Sequence, residues 1–122
     1  MINLLQYIFD TLKAIHPKVF LETVPNGSVF PYITYSLPTS GGSEYREDFI
    51  LEIDIWDNKP LDTTELETIT NNIDKAMNRT YEINDEFQCS IYRINRLMLP
   101  DQDVNIRRRQ LRYQVKYYNK QQ

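Results

Sequence analysis

Arg107, Arg108, Arg109 and Arg112, with Tyr113, Tyr117 and Tyr118 interleaved, are the residues of this chain best suited to recognising a charged partner. Guanidinium groups grip phosphates and aromatic rings stack on bases, so the run has the composition of a nucleic-acid contact. Two features oppose that use. The chain is acidic overall, with a net charge of -3, and Tyr113 and Tyr117 alternate in step with Leu111 and Val115, which assigns them to an apolar strand face rather than to bases.

Other chemistry is sparse. Nucleophilic catalysis by serine or cysteine needs a base beside the nucleophile, and the single histidine, His16, precedes Pro17 where a helix must end. Cys89, the one cysteine, reads as a small buried hydrophobe at a strand start and has no partner for an internal disulfide. Glu52 and Asp54 fall on the same side of an extended segment, with Asp57 and Asp62 nearby, but no glycine-kinked ligand loop accompanies them; charged residues on the outer side of a strand are ordinarily solvated. Gly27 is isolated and Gly41-Gly42 precedes a strand, not a helix, so no phosphate cradle is expected. The residues therefore assign no catalytic, cofactor or metal site, and the chain is read as no enzyme.

The elements that carry these side chains follow from periodicity. In residues 47–59, Phe49, Leu51, Ile53 and Ile55 alternate with Glu52, Asp54 and Trp56, a strand with one core face, stopped by Asn58, Lys59 and Pro60. A helix over 62–77 follows, capped by Asp62 with Glu65 three residues on, and Leu66, Ile69, Ile73 and Met77 form its apolar stripe. Ile2, Leu5, Ile8, Phe9, Leu12 and Ile15 predict a first helix. Residues 19–24 and 30–37 are expected to be extended, with Pro31 marking an edge or a position that needs no ladder donor. Residues 38–44 are a Gly-Ser loop, expected to be mobile: an ordinary hairpin loop or one that orders on assembly. Residues 78–87 read as a polar connector with Tyr81, Ile83 and Phe87 tacked to the core, 89–97 as a strand, 98–106 as a second loop, and the segment through Leu111, Tyr113, Val115 and Tyr117 as a long final strand. The fold class is α+β: a mainly antiparallel sheet with two helices packed against it.

The order of elements, the strand-turn-helix block spelled IDIWDNK and the ending RRRQLRYQVKYY resemble the small tail-completion proteins of long-tailed bacteriophages. The resemblance spans most of the chain and lies in structural pattern, without invariant chemistry. It implies a homo-hexameric ring at the head-proximal end of the tail that ends tail-tube growth, joins the tail to the head connector, or both. The implied partners are further copies of the chain, the tail tube protein and the connector protein. DNA would only pass through the lumen, whose wall the arginines could line. The implied location is the virion, after synthesis in the bacterial cytoplasm.

Length and charge agree with a structural role. One domain, residues 1–122, is expected from the size, with no disulfide or metal staple needed. The N-terminus lacks a signal-peptide pattern, and no apolar run approaches the roughly 20 residues of a membrane span, so a reducing cytoplasm is the expected setting. Residues 1–88 carry 15 acids and 6 bases, a net -9, whereas residues 89–122 carry 2 acids and 8 bases, a net +6. Two readings follow: unlike surfaces that meet in a ring or a stack of rings, or internal pairing between adjacent strands. On the first, the exposed Arg107, Arg108 and Arg109, with Arg112, serve subunit contacts, joined by Trp56 opposite the core face and by Gly41 and Gly42 in the loop. A small basic-faced nucleic-acid-binding module is the alternative.

Overall fold

The computed structural model describes residues 2–42 and 46–120. Along the chain run α1 (Ile2–Lys13), β1 (Val19–Leu21), β2 (Tyr32–Gly42), β3 (Glu47–Asp57), α2 (Thr64–Met77), β4 (Thr80–Ile83), β5 (Phe87–Leu99) and β6 (Arg107–Asn119). The six strands form one sheet in the order β1-β2-β3-β6-β5-β4. Only the β1 and β2 pair is parallel; the others are antiparallel. The class is α+β.

Strand alternation sets the two faces. Phe49, Leu51, Ile53 and Ile55 of β3 and Leu111, Tyr113, Val115 and Tyr117 of β6 are all buried on the side that receives the helices. Leu66, Ile69, Ile73 and Met77 of α2 meet them there, as their spacing predicts. The stripe of α1 is rotated from expectation. Leu4, Ile8 and Leu12, four residues apart, are fully buried, whereas Leu5, Phe9 and Ile15 flank the seam and Ile2 is exposed. A three-residue seam at spacing four suffices because α1 closes only the end of the core that α2 leaves uncovered.

Three local expectations are corrected. The Gly-Ser segment is not a loop as far as Gly42: residues 39–42 pair with β3 from Thr39↔Ile50 to Gly42↔Glu47, after a register irregularity between Ser36 and Thr39. The long β3 supplies the ladder, and pairing overrides the weak propensity of Ser and Gly; Ser43 and Glu44 lie outside the described residues. Residues 78–87 are not a plain connector, since β4 pairs with β5 from Thr80↔Ile91 to Ile83↔Gln88. Its outward-facing Tyr81 and Ile83 are exposed rather than tacked to the core, and only Phe87 is buried. Finally, the start of α2 carries no capping box. Asp62 does accept the Thr64 N–H at 3.0 Å, but Glu65 is drawn away to Lys59 Nζ at 2.8 Å.

Pro31 immediately precedes β2, where no ladder donor is required, and its carbonyl oxygen accepts from His16 Nε2 at 2.9 Å. That bond ties the end of α1 to the strand entry and accounts for the histidine.

Candidate assembly surfaces

The division of charge is resolved largely inside the fold. β6 runs beside acidic β3, and its outward arginines pair across the ladder: Arg112 Nε with Glu52 Oε2 at 3.1 Å and Arg108 Nε with Asp54 Oδ1 at 2.9 Å. Gln110 Nε2 donates to the same Asp54 oxygen at 3.1 Å. On the helix side, Glu67, Asn71 and Asp74 of α2 are spaced to form one polar stripe. Arg109 Nε and Arg96 Nη2 reach Glu67 at 2.5 and 2.9 Å, Arg96 Nη1 reaches Asn71 at 2.7 Å, and Arg93 Nη1 reaches Asp74 at 2.7 Å.

The expectation of an exposed arginine trio is therefore corrected. Arg109 is 5% exposed, because its odd position turns it to the core side, where it meets Glu67 of α2. Arg107, Arg108 and Arg112 are half-buried. Arg107 spends its Nη1 on the carbonyls of Val104 and Ile106. These cations are committed to carboxylates and carbonyls of their own chain, which leaves little for phosphates.

Trp56 lies on the outer face, opposite the helices, half-buried. The Arg108 guanidinium stands 4.5 Å from its ring centre, its Nε1 donates to Thr34 Oγ1 at 3.4 Å, and Tyr32 is 6.4 Å away, itself stacked on Phe30 at 4.8 Å. A cation over an indole, backed by a carboxylate, makes a rigid amphipathic patch. It is already covered in part by its own neighbours.

Among the described residues, the acidic groups singled out in the sequence are not assembled into one site. Glu52 and Asp54 share a side, yet each is held by arginine, and Asp57 turns to the opposite face, where its Oδ1 accepts the Asn58 N–H. No group of three or more His, Cys, Asp or Glu able to hold a metal ion occurs among the described residues. No described helix is long and apolar enough to cross a membrane. Cys89 is 2% exposed in β5, and burial pushes its thiol up to about 11. A thiol so placed should resist alkylation at pH 8 in the native state and react at once in denaturant. Rapid native labelling would show that β5 opens locally. The raised value also means that stability falls as pH climbs past about 8.5, where the unfolded thiol ionises, with the loss complete near 11.

No family model matches the chain, and no curated protein matches it. A solved structure matches by fold. It is a chain of the virion of a native gene transfer agent (GTA) particle, with a TM-score of 0.70 over 91% of each chain at 10% sequence identity. At that identity the likeness is one of fold, over nearly the whole of both chains.

Sequence reasoning missed the edges of the sheet. β1 covers β2 only at Ile33, Thr34 and Tyr35, and β4 covers β5 only from Gln88 to Ile91. Both inner strands run well past their short neighbours. Strand lengths decide this, and the Gly-Ser composition of residues 38–42 and the polar connector over 78–87 had hidden two of them.

Proposed function

We propose that this protein is a structural component of a phage-like virion, a homo-hexameric ring subunit at the head-proximal end of the tail that ends tail-tube growth or joins the tail to the head connector. The observation that supports this reading most is the likeness of fold, over 91% of both chains, to a chain of a gene transfer agent virion; it agrees with the resemblance of the sequence to tail-completion proteins. The commitment of the arginines to Glu52, Asp54 and Glu67 weighs against the alternative of a nucleic-acid-binding module. The partners of the ring would be the tail tube and the connector, with DNA only in transit.

The test is made on particles. The chain should co-purify with intact virions at six copies per tail, and particles assembled without it should show free heads with tails that are overlong or unattached. Complete, infective virions lacking the chain would overturn the proposal. Affinity for free DNA should be weak at physiological salt, because surface phosphate contacts need uncommitted cations; a tight, salt-sensitive DNA shift would favour the alternative.

A further inference from the structure

Besides the outer edges of the short terminal strands β1 and β4, two stretches of the longer strands lack a neighbouring strand among the described residues: the outer edge of β2 at residues 39–42 and the outer edge of β5 at residues 94–99. At β5 the boundary is sharp, because Asn78 Oδ1 accepts the Arg93 N–H at 2.9 Å just before β4 begins. Unpaired ladder groups are templates for another strand, and proteins ordinarily blunt them with charge or proline. Within 39–42 and 95–99 neither device stands free on the edge, although Pro38 and a register irregularity precede the first stretch and an irregularity at Ile94 opens the second. Residues 39–42 are Thr, Ser, Gly and Gly. In 94–99 the one charge, Arg96, is drawn onto Glu67 and Asn71 of α2, while Ile94 and Met98 stand 48% and 73% exposed.

We infer that these two edges belong to each other in successive copies: residues 39–42 of one chain add antiparallel to residues 94–99 of the next. The inference rests on the ring reading above and gives it an interface. Three features select a second copy as the occupant. The first is direction. β2, β3, β6 and β5 alternate in sense, so β5 runs opposite to β2, and copies related by a rotation about a ring axis meet antiparallel.

The second feature is stagger. Residues 39–42 lie level with Ile50, Gln114 and Tyr92 and the strand ends beyond them, whereas residues 94–99 lie level with the opposite end, from Arg112 to Arg108. The two gaps are thus diagonal across the sheet. A copy displaced along the strands fits its β2 edge into the gap above the partner's β4 while its own β1 passes beyond the partner's β5. Neither short strand obstructs the other, and displaced neighbours are what strands tilted to the axis of a closed ring require. The third feature is shape. Beside the β2 edge lies a shallow hollow of about 220 Å³, bordered by Thr39, Gly41, Phe49 and Ile50, left open because Gly41 has no side chain and nothing within 4 Å of where one would start. On the β5 edge, Leu97 and Leu99, ladder partners of Gln110 and Arg108, stand on this same outer face and have the size and polarity to meet it, whereas Met98, opposite Arg109, turns to the helix side.

The test uses complementary edge blocks on the full chain. Gly41→Lys places a charge on the β2 edge in open space, and Ile94→Lys does so on the β5 edge at a half-exposed position, so both variants should fold and melt like wild type. Each alone should lose oligomer formation by native mass. Mixed at equal amounts they should form a heterodimer that grows no further, since one intact β2 edge and one intact β5 edge remain. Ser40→Cys mixed with Ile94→Cys should likewise cross-link between chains on oxidation, whereas Ser40→Cys alone should not. Oligomers of wild-type size from either lysine variant would overturn the edge pairing while leaving the ring reading intact. A wild-type chain that remains monomeric at millimolar concentration, and absent as a ring from particles, would remove both. If the Gly41 variant dimerises alone, the β5 edges pair with each other and the head-to-tail arrangement is wrong.

Discussion

Ile53→Asp should abolish folding. Ile53 is fully buried in β3, flanked across the ladder by Tyr35 and Leu111, which are buried too, and α2 closes over this row. An aspartate there has no cation within the apolar layer, and burying an unpaired carboxylate costs several kcal/mol against a total stability of about 5 to 15 kcal/mol. Ile53→Val, which removes one methylene, should cost only about 0.5 to 1.5 kcal/mol. The contrast is the measurement: a cooperative melt near the wild-type temperature for the aspartate variant would mean that β3 presents its other face to the helices. No rearrangement can rescue the aspartate by a register slip, since moving β3 by one residue would bury Glu52 and Asp54 instead.

The long elements were legible in the sequence for the same reason that this substitution is severe. Phe49 to Ile55 and Leu111 to Tyr117 alternate without interruption because each of these strands has neighbours on both sides and one covered face, so burial repeats every second residue. The stripe of α2 was legible too, as it lies across the middle of the sheet. What was not legible depends on partners distant in sequence. β4 is four residues held by β5, and the end of β2 is held by β3 through residues of poor strand propensity; neither carries its own periodic signal. The arginines were misplaced by a related limit. Arg109 was read as exposed although it is in phase with Leu111 and Tyr113, because a charge on the core side is tolerable only if a carboxylate waits there, and Glu67 lies 42 residues earlier. Composition recorded the acidic and basic halves; only topology shows that the two are folded against each other. The open edges were least legible of all, because an edge is defined by what does not pair.

Glu67 is where that internal pairing is most exposed to test, and Glu67→Ala should be among the most damaging single changes outside the apolar core. One carboxylate serves two guanidinium groups from different strands, Arg109 of β6 at 2.5 Å and Arg96 of β5 at 2.9 Å. It thereby fastens α2 to both. Removing it abandons the Arg109 cation, which is 5% exposed and cannot turn to water. Breaking a fully buried pair from one side costs about 3 to 5 kcal/mol. Since the Glu67 side chain is itself 38% exposed, solvent screening reduces this, and a loss of about 1 to 3 kcal/mol is expected, a fall of several degrees in the melting temperature of a chain this size. Arg109→Met retains the buried stem and deletes the charge, so it should cost less than Glu67→Ala. The double variant should cost less than the sum of the two, because no cation is then left behind. Arg107→Ser, which removes hydrogen bonds to the carbonyls of Val104 and Ile106 and breaks no ion pair with a carboxylate among the described residues, should stay within about 0.5 kcal/mol of wild type. Denaturant titrations of the four variants decide the matter. Equal small effects throughout would return Arg109 to the solvent and restore the arginine run as an outward-facing surface. The expected order, with Glu67→Ala the worst, makes the basic segment a fastener of the subunit's own fold and leaves ring contacts to other parts of the surface.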